Sequence, residues 1–197
     1  MKKRIFIISH LTITILLSLL LSNCVTTRPA KDAVATPDAL SCYRCKPLQQ
    51  KYFANLISLA TRMPYSMKVN TMGFIDWKDS LYFSVEMIGG HYNTIMTTVN
   101  TRLTNEFHEK YQGTVRLILN EPFINEVSGL HIVLICTSTN FVNDEYGFNS
   151  KPNTLEIFAS TKIIKQFLNG DITSQDFLDK SIVFVDAERT RFIFEMM

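Results

Sequence analysis

Glycine is scarce in this chain, at seven of 197 residues, which leaves little material for loops that cradle phosphates. Neither a P-loop nor a dinucleotide glycine pattern occurs, and GxSxG and HExxH are missing as well. A basic patch is lacking too. The formal charge of +2 rests on Lys2, Lys3 and Arg4; without residues 1–23, 17 basic residues face 18 acidic ones, a net charge of −1, and no Lys/Arg cluster follows. That excludes an electrostatic nucleic-acid footprint. His91, His108 and His131 lack metal-site spacing, so no metal or other cofactor is expected. Catalytic residues need only meet in space, so an active site dispersed along the chain stays open as an alternative to no enzyme at all.

What the chain does have begins with a positive N-terminus and the apolar run Ile5 to Leu21, 17 residues broken by Ser9, His10, Thr12, Thr14 and Ser18. This is the layout of a secretory signal. As a helix it spans roughly 25 Å, short of the ~30 Å hydrocarbon thickness of a bilayer. Leu21-Ser22-Asn23-Cys24 ends the run and resembles the lipobox of bacterial lipoproteins, with Asn23 where that family has Gly, Ala or Ser. The resemblance covers residues 1–24. It implies cleavage before Cys24, acylation of that cysteine, and attachment of an exported chain to a bilayer. Val25 stands where an Asp retains such proteins in the inner membrane, so the outer membrane facing the periplasm is the implied location. An uncleaved anchor helix and cleavage after Ala35 are the alternatives.

Residues 25–41 hold two prolines and no aromatic side chain. A segment so poor in apolar area reads as a tether, so residues 24–45 are expected to lead flexibly into one domain at 46–197. Cys42-Tyr43-Arg44-Cys45 is a CxxC immediately before an apolar helical pattern. A local disulfide is the plain expectation for an exported chain; reactive or differently paired thiols, and attachment of a cofactor such as haem, are the alternatives. Cys136, in a strand apolar on both faces, reads as a buried free thiol, with pairing to Cys42 or Cys45 left open by spacing.

Leu48, Tyr52, Leu56 and Leu59 predict a helix from Pro47 to Arg62, and alternation predicts strands over 66–77 and 81–87 turned by Lys78-Asp79-Ser80. Gly89-Gly90 is expected to break the second strand. A long helix then follows with Tyr92, Ile95, Met96, Val99, Leu103, Phe107 and Tyr111 on its buried face, its Arg and Glu residues exposed, His91 at its start and Gly113 as its stop. Val115, Leu117 and Leu119 read as a half-exposed strand, and Leu130 to Thr137 as the central strand. His131 in that strand is expected as a hydrogen-bonded core histidine rather than a general base.

Residues 140–153 read as a long loop carrying Phe141, Asp144, Glu145, Tyr146 and Phe148, the candidate interaction loop. Asp144 and Glu145 lack the oxygen spacing of a calcium site. Strand 154–159, helices capped by Ser160 and Thr173, and a hairpin joined at 187–190 complete the chain. The expected fold is α+β, a single domain with helices packed on a largely antiparallel mixed sheet. The expected role is a non-enzymatic envelope lipoprotein, an accessory or interaction subunit for a protein partner. A periplasmic thiol-disulfide module using Cys42 and Cys45, or a surface-exposed binding protein, are the alternatives.

Overall fold

A computed structural model of the protein describes residues 34–64, 66–139 and 151–194. Pro47 suits the first turn of α1 (Lys46–Lys51), and α2 (Phe53–Arg62) follows after one non-helical residue, Tyr52. Strands β1 (Met67–Trp77) and β2 (Ser80–Asn93) form a hairpin. Lys78 and Asp79 turn it with φ of 50° and 60°, the left-handed pair that a two-residue hairpin loop requires. Helix α3 is continuous through Val99–Glu106, a π-helical turn Phe107–Tyr111, and Gln112–Leu119. Strands β3 (Gly129–Thr139) and β4 (Lys151–Ser160), helices α4 (Thr161–Leu168) and α5 (Ser174–Asp179), and the short strands β5 (Ile182–Val185) and β6 (Glu188–Arg189) complete the order.

The six strands lie in sequence order, antiparallel except for β2 and β3, which run parallel with α3 as the crossover. The fold is therefore α+β with a largely antiparallel mixed sheet. One sheet face, built from Phe74, Phe83, Val85, Met87, Leu130, Ile132, Leu134, Leu155 and Ile157, packs with Leu56 and Leu59 of α2 and Leu103, Phe107 and Tyr111 of α3 in one core. Phe74 and Phe123 meet edge to face at 5.4 Å within it, a geometry that adds to the area they bury. Among the described residues, no helix is long and apolar enough to cross a membrane.

Several elements differ from what the sequence pattern predicts. Gly89-Gly90 does not end β2. Ile88 pairs with Ile135 and His91 with Thr137, so β2 advances three residues while β3 advances two, a one-residue bulge at the glycines. His91 thus lies in β2 and does not open the helix. Thr98 does the capping, its side chain accepting from Thr101 N–H, and Ile95 and Met96 fall in the turn before it.

Gly113 does not stop α3, since it is not left-handed and the helix runs six residues beyond it. Val115, Leu117 and Leu119 alternate by chance. The period that decides is Tyr111, Val115 and Ile118, all fully buried at helical spacing. The terminal hairpin is also shorter than expected. After Arg189 the chain leaves the sheet, and Gln175 of α5 holds it by donating to Phe192 O at 2.9 Å and accepting from Phe194 N–H at 3.2 Å.

The packed unit starts before Lys46, within the segment expected to be tether. Val34 is 3% exposed, Pro37–Ala39 form a 3-10 turn, and the buried Gln49 amide donates to Ala35 O at 2.8 Å.

Candidate functional site

Parallel strands point their C-terminal ends to one side of a sheet, and a crossover helix begins there, so polar groups gather at that end of an α/β unit. Here β2 and β3 end at Asn93 and Thr139, and α3 starts at Val99. Asp186, Asn100, Val99, Thr190, Arg191 and Ile193 line an open cleft of about 600 Å³ at this end. Beneath it runs a polar chain. Arg102, only 3% exposed, donates to Thr97 O at 2.7 Å and Asn153 Oδ1 at 2.9 Å, while Asn153 donates to Asp186 Oδ2 at 3.0 Å. Asp186 also accepts from Thr154 N–H at 2.7 Å.

One turn further along α3, Glu106 is 1% exposed. Its Oε1 accepts from Gly90 N–H and from Tyr92 OH at 2.7 Å, and its Oε2 forms an ion pair with Lys110 Nζ at 2.7 Å. A buried carboxylate so placed is compensated in charge by Lys110 and hydrogen-bonded through Oε1. The glycines of the bulge explain themselves here. A Cβ on Gly89 would stand 2.4 Å from Glu106 Cδ, and one on Gly90 would stand 3.0 Å from Oε1. The pair is a socket for the carboxylate. Burial, together with the Glu106 hydrogen bond, pushes the Tyr92 phenol well above its ordinary range. The Cys136 thiol is also pushed up by burial, which makes it a poor nucleophile.

A second cluster lies on the sheet face opposite the helix-side core. Ser84 Oγ and His131 Nδ1 are 2.8 Å apart across β2 and β3, and the imidazole stacks on Phe158 of β4 at 4.0 Å. Trp77 stacks on Phe158 at 4.6 Å, and Lys78 Nζ sits 4.5 Å from the Trp77 ring centre. Serine, histidine and Glu156 therefore stand in a row. The chemistry of the row is weak, because desolvation lowers the His131 pKa to about 4 against a partial opposing pull from Glu86. Glu156 is shifted upward, first by burial and then by Glu86. At neutral pH the ring is uncharged, so the 3.6 Å approach of its Nε2 to Glu156 Oε2 is not an ion pair. A neutral imidazole of that acidity is a poor acceptor of a serine proton. Further up the same face, His91 bridges Thr137 and Thr139, each hydroxyl 2.8 Å from one ring nitrogen.

The third cluster is the CxxC. Cys42 and Cys45 form a disulfide that closes the 3-10 turn leading into α1, and Arg44 pairs with Asp76 of β1 at 2.7 Å. Cys136 is free and buried.

The sequence-derived candidates separate accordingly. Cys24 and the loop residues Phe141, Asp144, Glu145, Tyr146 and Phe148 lie outside the described residues. No group of three or more potential metal ligands occurs among the described residues. Arg102 and Glu106, expected on an exposed flank of α3, are buried, a correction with a geometric cause. They precede Leu103 and Phe107 by one residue each, about 100° around the helix, inside the wide arc that both the sheet and the bulge cover. Their signal in the sequence is an Arg and a Glu four apart beside an apolar stripe, with a Gly-Gly pair upstream to receive the carboxylate. The chain matches no protein-family model, no curated protein and no solved structure.

Proposed function

We propose that this protein is a lipid-anchored, non-enzymatic accessory subunit of an envelope assembly, held to a bilayer through acylated Cys24 and binding a protein partner. The end of the sheet that carries the cleft is its docking end. The observation that carries this reading is the cluster of exposed apolar side chains there: Met96 is 82% exposed, Ile95 57%, Ile193 55% and Val99 36%. Val99 and Ile193 line the cleft, and the Asn100 amide ties the two segments together by donating to Ile193 O at 2.7 Å. Apolar groups grouped at the rim of a polar cleft favour a protein partner, whose side chains fill the cleft while the rim excludes water. β4 starts at Lys151, inside the 140–153 stretch expected as loop, and Thr139 and Lys151 belong to the strand ends at this same side.

The arrangement of polar groups supports a binding role over a catalytic one. Glu106, Arg102 and Asp186 are each held by hydrogen bonds to protein groups, and the serine-histidine row holds an imidazole of low basicity. The anchor adds an orientation. Only nine residues separate Cys24 from the packed Val34, so the ten intervening Cα steps reach at most ~36 Å. The domain works close to the bilayer.

A photocrosslinking residue at Met96, in the full-length protein in intact envelopes, tests the docking end. A discrete partner band is expected, weakened at least tenfold by Ile95→Asp with Val99→Asp. An unchanged band in that double variant contradicts the reading.

A further inference from the structure

We propose that the Cys42–Cys45 disulfide exchanges with protein thiols, Cys42 as the attacked sulfur and Cys45 as the leaving one. The proposal adds a redox activity in place of the non-enzymatic part of that reading, and it does not depend on acylation of Cys24, nor on the docking end. It rests on how differently the two sulfurs are placed. Cys45 is fully buried in the core, while Cys42 is half-buried at the surface. Tyr43, between them, is 87% exposed, so the turn that carries Cys42 lies at the surface of the described residues. Cys45 N–H already points at Cys42 Sγ at 3.2 Å, a preplaced donor for the thiolate that forms there.

The disulfide is also dispensable as a clamp. It closes a ring spanning four residues, the kind of short loop that constrains the unfolded chain least. The segment around it is held independently: Arg44 by Asp76, Gln49 by Ala35 O, and Val34 by the core. Breaking the bond therefore leaves the turn in place, as a reversible redox pair requires.

The substrate class is a protein or peptide dithiol. Its first thiolate attacks Cys42 Sγ; the Cys42–Cys45 bond breaks and Cys45 leaves with the electron pair. The second substrate thiolate then attacks the substrate sulfur of the mixed disulfide, and Cys42 leaves as a thiolate facing Cys45 N–H. Two electrons pass from the substrate dithiol to the cysteine pair, and both cysteines end as thiols once they take up the two substrate protons. A small-molecule disulfide such as oxidised glutathione reoxidises the pair by the same two steps in reverse.

The test uses a fluorescent dithiol peptide and the full chain. The oxidised wild type is expected to convert reduced peptide to its disulfide at least tenfold faster than an equal concentration of oxidised glutathione. Given the peptide disulfide, Cys45→Ser is expected to collect a reductant-labile adduct on Cys42, and Cys42→Ser to collect at least tenfold less. A wild-type rate no greater than that of glutathione overturns the proposal, with no variant needed. Equal adducts on the two variants, with circular dichroism showing both folded, overturn it as well.

Discussion

Replacing His131 with glutamine should flatten the acid sensitivity of this domain between pH 7 and 4. The folded ring has a pKa of about 4 because burial disfavours its charged form. Freed in the unfolded chain, it returns to roughly 6.5. The unfolded state therefore binds a proton below that value that the folded state refuses. His131 costs the native state nothing above pH 6.5, takes away stability progressively as pH falls towards 4, and takes no more below that. At ~1.4 kcal/mol per pH unit the loss amounts to roughly 3 kcal/mol, or ~6–12 °C in Tm for a domain of this size.

Other groups titrate in the same range. Asp176, Asp179 and Glu126 are held below their ordinary values by hydrogen bonds, first to Thr173, Arg191 and Lys51 respectively. Their contributions also fade as pH falls, and they are common to wild type and variant. Glu156 is shifted upward and acts in the opposite sense, favouring the folded state on protonation. Glu156→Gln in both backgrounds removes it from the comparison. The assay is chemical denaturation of wild type and His131→Gln at pH 7, 5.5 and 4, with the amide keeping a polar partner for Ser84. A wild type that loses about 3 kcal/mol more than the variant agrees with a buried neutral ring. Parallel curves would refute it.

Gly89→Ala should destabilise by roughly 2–3 kcal/mol, because the new Cβ would displace the buried Glu106 carboxylate from its donors. In a Glu106→Ala background the same change should cost much less, and additive costs in a denaturant double-mutant cycle would show that the glycine is no socket. Ala187, at φ 68°, turns β5 into β6 in a conformation that L side chains avoid. Ala187→Gly should therefore raise stability by roughly 0.5–1 kcal/mol once the added unfolded-state entropy is counted, and a fall in the denaturation midpoint would contradict this.

Most elements were legible because their periodicity is local. The stripe Leu48 to Leu59, the alternation of 81–87 and the caps Ser160 and Thr173 each declare an element within a dozen residues. The capping box forms as read, with Asp176 N–H bonding Thr173 Oγ1 at 3.1 Å and Asp176 Oδ2 accepting from Thr173 N–H at 3.3 Å. The misread stretches share a cause. Gly89-Gly90 reads as punctuation because its purpose, a carboxylate 16 residues downstream, is visible only once α3 lies on the sheet. Val115-Arg116-Leu117-Ile118-Leu119 carries both periods at once, and the side chains of the core choose between them.

The polar clusters were less legible still. Ser84 meets His131 across 47 positions and Asn153 meets Asp186 across 33, pairings set by strand register. The packed stretch from Val34 to Leu40 is not legible in the sequence because its few apolar contacts lie far along the chain, beside Gln49 and the core.

Mass spectrometry of the N-terminal peptide from the membrane fraction, with a palmitate analogue fed to the cells, bears most directly on the proposed anchor. The expected result is a mature chain beginning at Cys24, acylated on its sulfur and labelled in wild type but not in Cys24→Ala. An unmodified N-terminus recovered from the aqueous fraction, or labelling that survives the substitution, would contradict it.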